Sequence, residues 1–108
     1  MIIKTQLGSS ALADERLKTD CHNTLEKARL WIRATDFNAP EEEKTRVKSA
    51  INIANQACRL AKESAPDDGE VLVNSAYALF AAEKKKEAVK LIQEASEIGY
   101  PPAMVMMA

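Results

Sequence analysis

His22 and Glu26 stand one helical turn apart, a spacing at which two side chains on one helix can share a metal ion. Zinc sites take three or four protein ligands, and the chain has a single His, so an ordinary helix-surface pair is the expectation. Cys21 adjoins His22, and an imidazole in contact with a thiol can activate it. Adjacent residues on a helix point about 100° apart, however, which parts the ring from the sulfur. Glu41, Glu42 and Glu43, and again Asp67 and Asp68, are clustered carboxylates of the kind used in acid–base catalysis. Both clusters fall where helices should begin, and there acids cap free backbone amides. Lys84, Lys85 and Lys86 could meet a phosphate, but Glu83 and Glu87 flank them, as at a solvated corner. The sequence holds no glycine-rich phosphate loop, no CxxC and no zinc-finger spacing. These residues predict no catalytic centre, no metal site and no cofactor.

The elements that carry these residues are helical. Residues 1–10 read as a lead-in, with Gly8-Ser9-Ser10 as a loop-like cluster and Ser10 as a helix cap. The first helix is expected over about 11–35, with Leu17, Cys21, Leu25, Ala28 and Ile32 forming one apolar stripe. Pro40 breaks it, and Asn38 with Glu41 has capping-box spacing for a second helix ending near Ser64. That helix carries Val47, Ile51, Ala54, Cys58 and Ala61, mostly small residues that let a neighbour approach closely. Asp67 and Glu70 again have capping-box spacing, ahead of a third helix over about 69–82. Its two stripes, Leu72-Ala76-Leu79 and Val73-Tyr77-Phe80, predict burial on more than one side or a second binding face. A fourth helix is expected over about 85–98. Gly99 suits a left-handed C′ position, and Pro101 and Pro102 end the helix. Residues 103–108 start a short fifth helix.

The 108 residues fit one domain, and 46% of them are apolar. A formal net charge of -1 and an aromatic content of 5% argue against nucleic acid and against an anionic membrane surface. No apolar run reaches the roughly 20 residues that span a bilayer, and none is long enough for a signal-peptide core. Cys21 and Cys58 are far apart in sequence, so two buried, reduced thiols in a cytoplasmic protein are the expectation, with a disulfide between helices as the alternative that no motif favours.

A shift of 34 residues aligns Ala54 with Ala88, Cys58 with Ile92 and Ala61 with Ala95, each unit being followed by a proline, Pro66 or Pro101. This pattern resembles the second helix of a tetratricopeptide (TPR) repeat. Leu72, Ala76 and Leu79 stand where that family's first helix places large, small and large residues. Residues 69–102 thus resemble one repeat. The family's usual Trp is Leu72 here, its usual small Gly is Ala76, and its helix-turn Gly is Glu83. The upstream unit matches only in its second helix.

The resemblance implies an all-α fold of antiparallel helical hairpins stacked in a right-handed array, four helices plus a C-terminal stub. In this layout residues 11–64 form a long hairpin and 67–99 a TPR-like pair, with 101–108 beginning a further helix. It also implies a concave side approached by Glu70, Val73, Asn74, Tyr77 and Phe80, with no base among the positions that some relatives use to grip a carboxylate. The expected function is a non-catalytic adaptor or chaperone-like module holding an apolar peptide or amphipathic helix. Its expected contacts are Val73, Asn74, Tyr77 and Phe80, joined by Met104, Met106 and Met107 of the adaptable tail. Such binding should depend weakly on salt. The competing readings are a homodimer or larger homo-oligomer that buries the open end and the Met tail, a small enzyme, and a DNA-associated regulator.

Overall fold

The computed structural model describes the backbone of residues 2–107 and the side chains of residues 14–107. Five helices follow one another: α1 (Ile2–Ala34), α2 (Glu41–Ser64), α3 (Gly69–Ala81), α4 (Lys85–Glu97) and α5 (Pro101–Met107). The described residues contain no strand, so the chain is all-α.

α1 begins at Ile2, not near residue 11. The Gly8-Ser9-Ser10 cluster is helical backbone, and Ser10 is not a cap. Met1 lies outside the described residues. Two caps also differ from expectation. α2 starts directly after Pro40, which has no side-chain cap bond, so Asn38 does not close a box with Glu41. Proline's fixed φ and missing N–H suit that entry. At α3 the cap is Asp68, not Asp67. Its Oδ1 accepts from the backbone N–H groups of Glu70 (3.0 Å) and Val71 (3.2 Å).

Two helix ends close with the same six-to-one and five-to-two bonding. At α4, Tyr100 N–H donates to the Ala95 carbonyl and Gly99 N–H to Ser96, both at 3.0 Å. Gly99 takes φ 87°, as the turn demands. At α3, Lys84 N–H donates to Leu79 and Glu83 N–H to Phe80, both at 2.9 Å. Here Glu83 must hold φ 63°, a left-handed conformation that disfavours a residue with a Cβ.

α1 and α2 run antiparallel. Cys21 meets Cys58, and Ser64 Oγ hydrogen-bonds Asp14 Oδ1. α2 and α3 are antiparallel too. Asn55 Nδ2 donates to the Ala78 carbonyl (3.0 Å) and Ser75 Oγ to the Cys58 carbonyl (3.3 Å). α3 packs on both α1 and α2. It runs in the same direction as α1, since Lys18 pairs with Asp68 and Glu70 while Arg29 lies over Tyr77.

Two cores result, with α3 between them. The first joins Cys21, Leu25, Ala28, Ala54, Cys58 and Ala61 to Val71 and Ala78 of α3. The second joins Leu72, Val73 and Ala76 of α3 to Ala88, Leu91, Ile92, Ala95 and Ala103. This explains why α3 is apolar nearly all round: it has a core on each side. Leu25 and Leu72 are fully buried, one in each core. Ile32, by contrast, is 40% exposed and stands outside the stripe assigned to it.

Cys21 and Cys58 form a disulfide, with a Cα–Cα distance of 4.4 Å and a sequence separation of 37. This corrects the expectation of two reduced thiols. Both residues sit on apolar stripes, and those stripes face each other in the first core.

The Gly99 turn sends Tyr100 back onto the start of α3. A Cβ on Gly69 would lie 2.4 Å from the Tyr100 ring, inside any permitted contact. Gly69 therefore lets the α4–α5 turn close on α3.

Candidate interaction groove

Tyr77 borders both cores and is half-buried between them. One side of its ring carries the Arg29 guanidinium, whose carbon is 5.1 Å from the ring centroid. That distance lies within cation–π range. The Tyr77 hydroxyl approaches Met106 Sδ of α5 at 3.8 Å. Two groups singled out in the sequence, Tyr77 and the methionine tail, thus meet in space. Together with Ile32, Arg33 and Ala81, Arg29 and Tyr77 line a groove of about 300 Å³ between α1 and α3.

The other named contacts divide. Asn74 and Phe80 are half-buried on α3, and Phe80 packs against the second core. Val73 is 5% exposed and belongs to that core, so it has almost no surface to offer a partner. Met104 and Met107 are exposed on α5, as is Val105 at 76%. A single-helix periodicity cannot separate Val73 from Tyr77, because both lie on the same stripe of α3. The packing of α4 and α5 decides which one is covered.

Val73, Asn74 and Tyr77 themselves carry no base, but two bases come to them from another helix. Arg29 and Arg33 reach the groove from α1, the helix that runs beside α3. Arg29 makes a long contact to Glu26 at 3.7 Å, a surface pair of small energetic weight. The side-by-side placement of α1 and α3 was the missing information, and no motif within α1 carries it. The disulfide, an alternative that no motif favours, nonetheless has a signal in the sequence. A short link at 35–40 makes α1 and α2 antiparallel, and Cys21 lies about four turns before it while Cys58 lies about five turns after.

At the start of α3, Lys18 bridges Asp68 (2.9 Å) and Glu70 (3.0 Å). Burial by itself would raise the Asp68 carboxyl. The Lys18 hydrogen bond and the Val71 and Glu70 N–H groups outweigh it and hold that carboxyl below the usual range. The hydrogen bonds to Asp68 and then Glu70 hold the Lys18 ammonium well above its ordinary value, against the effect of burial. This cluster fixes the α1–α3 register that places Arg29 over Tyr77.

His22 is exposed, and its neighbour Cys21 is bonded to Cys58. Among the described residues, no three His, Cys, Asp or Glu side chains are grouped to hold a metal. Lys84 to Lys86 are exposed at the α3–α4 turn. Among the described residues, no helix is long and apolar enough to cross a membrane. Comparison with known proteins gives no match to a family model, to a curated protein or to a solved structure.

Proposed function

We propose that this chain is a non-catalytic protein-interaction module, adaptor or chaperone-like, built of TPR-like hairpins in a right-handed array. It holds an apolar peptide or one face of an amphipathic helix in the groove between α1, α3 and α5. The observation that carries this reading is Tyr77. Its half-buried ring forms a floor, with Arg29 stacked on one side and Met106 at its hydroxyl. Tyrosine in such a setting offers apolar area with a polar tip, the combination favoured at interface anchors. Exposed Ile32 and Met106 extend the apolar strip, and Met104 and Met107 continue it along α5.

Support for the TPR-like arrangement comes from the shared direction of α1 and α3, the antiparallel pairs, and the 34-residue recurrence of small contact residues. In such an array α1, α3 and α5 line one side. The Cys21–Cys58 bond favours an oxidising compartment over the cytoplasm that the sequence suggested, because disulfides persist where thiols are not kept reduced.

The test is selection of random peptides displayed on phage. Wild-type protein is expected to enrich peptides with apolar residues at helical or alternating spacing. Ile32→Glu and Met106→Glu change exposed positions, so they keep the fold and are expected to abolish the enrichment. Equal enrichment by both variants would remove the groove from consideration. A second reading is self-association through α5, favoured by the exposure of Met104, Val105 and Met107. Sedimentation that gives a single monomer mass at high concentration would eliminate it.

A further inference from the structure

On another side of the molecule, α2, α3 and α4 enclose a cavity of about 370 Å³. Asn52, Gln56, Arg59 and Lys62 line it from α2, at the spacings that place side chains on one helical stripe. The stripe is polar throughout, in the order amide, amide, guanidinium, ammonium. It spans about 15 Å, the length of roughly five extended residues. The floor is apolar, formed by Leu79 and Leu91. Asn55 also lines the cavity. Its Nδ2 is spent on the carbonyls of Ile51 (3.1 Å) and Ala78 (3.0 Å), which leaves Oδ1 as its remaining acceptor.

The charge is one-sided. Arg59, Lys62 and Lys84 face a single lining carboxylate, that of Glu87. Among the described residues the ion pairs engage Lys18, Arg29 and Lys44, and none of these three cations. Because α3 runs antiparallel to α2, the turn with Lys84 stands toward the Asn52 end, and Arg59 and Lys62 stand toward the other. The cavity thus has its positive charge at the Arg59–Lys62 end, Lys84 offset by Glu87 at the other end, and primary amides in between. Amides that both donate and accept match main-chain peptide groups, and the flanking cations match carboxylates.

We infer that this cavity is a second binding site, separate from the Tyr77 groove, and that its occupant is an extended acidic peptide segment of a partner protein. Arg59 and Lys62 take carboxylates at one end, while Asn52, Asn55 and Gln56 bond the backbone that continues toward the α3–α4 turn. Charge complementarity sets the preference, so the affinity falls with ionic strength.

The probe is an acetylated, amidated pentaglutamate peptide, titrated into the isotopically labelled full chain and followed by backbone amide shifts. Saturable shifts are expected in α2 over residues 52–62 and at the α3–α4 turn. The double variant Arg59→Glu/Lys62→Glu, at one exposed and one half-buried position, is expected to weaken binding at least about tenfold with its helical circular dichroism unchanged. Arg46→Glu, on the α1–α2 side, is expected to leave it unchanged. Ile32→Glu is also expected to leave it unchanged, which keeps this test independent of the Tyr77 groove. Absence of saturable shifts, shifts confined to other helices, or equal weakening by Arg46→Glu each overturn the inference. Pyrophosphate saturating the same amides as tightly as the peptide also overturns it, because the site would then be one for small anions.

Discussion

Reduction of the Cys21–Cys58 bond is expected to cost this protein about 4 kcal/mol. The bond joins residues 37 apart in sequence. Loop-closure entropy for a ring of that size, removed from the unfolded chain, amounts to about 3.8 kcal/mol at 25 °C. A domain of this length has a total stability of roughly 5–15 kcal/mol, so the reduced chain would keep only part of it. The helices and the second core do not depend on the bond, and the reduced protein is expected to remain helical in dilute buffer. The assay is urea denaturation followed by circular dichroism, with and without a phosphine reductant. Thiols are counted in denaturant to establish the redox state of each sample. With a slope near 1.3 kcal/mol per molar urea, the midpoint is expected to fall by about 3 M. A fall of less than about 0.5 M, with the bond verified before reduction, would refute the entropic reasoning. Two titratable thiols in protein purified without reductant would refute the bond itself.

Glu83→Gly relieves a left-handed backbone that a Cβ disfavours, and is expected to stabilise by about 0.5–1 kcal/mol after the added chain entropy of glycine, read as a higher melting temperature. Gly69→Ala drives a methyl group into the Tyr100 ring and is expected to cost about 1–3 kcal/mol. In a Tyr100→Ala background the same change should cost far less, and equal cost in both backgrounds would show that the ring is not the obstacle. The carboxyl of Asp68 is held low in the fold, so its contribution is complete above the ordinary aspartate range near pH 4. It is lost as pH falls through the lower folded value. Asp68→Asn keeps a cap but loses the Lys18 ion pair, so melting of the variant should fall less steeply between about pH 4 and pH 2 than that of the wild type. The Lys18 ammonium has the opposite sense, since its raised value makes its contribution complete below about pH 10 and lost as pH rises beyond.

Much of the helix layout was readable because the breakers are strong. Pro40, Pro66, Gly99 and Pro101 divide α1 from α2, α2 from α3, and α4 from α5, and the apolar stripes between them have a clear period. Starts were less readable. Gly8, Ser9 and Ser10 are poor helix formers individually, yet they lie inside a long helix, where neighbouring turns override local preference. Two adjacent aspartates compete to cap α3, and only the backbone angle at Asp68 decides between them. The groove was half readable. Tyr77 and the methionines were visible as unusual residues, but Arg29 and Arg33 join them through packing between helices that are far apart in sequence. Local spacing records which face a residue shares with its own helix, not which other helix lies beside it.

The position of the disulfide has a mechanical consequence. When the two ends of the chain are pulled apart, tension passes along α1 to Cys21, crosses the sulfur bridge to Cys58, and leaves along the last turns of α2. The last turns of α1, the link at 35–40 and about the first five turns of α2 lie off that line of force. About 130 Å of contour length stays locked while the bond holds. The second core, from α3 to α5, has no such tie and bears the load through packing alone. The oxidised protein should therefore extend in two unequal stages, the C-terminal half giving way first and only a short release following from the first hairpin.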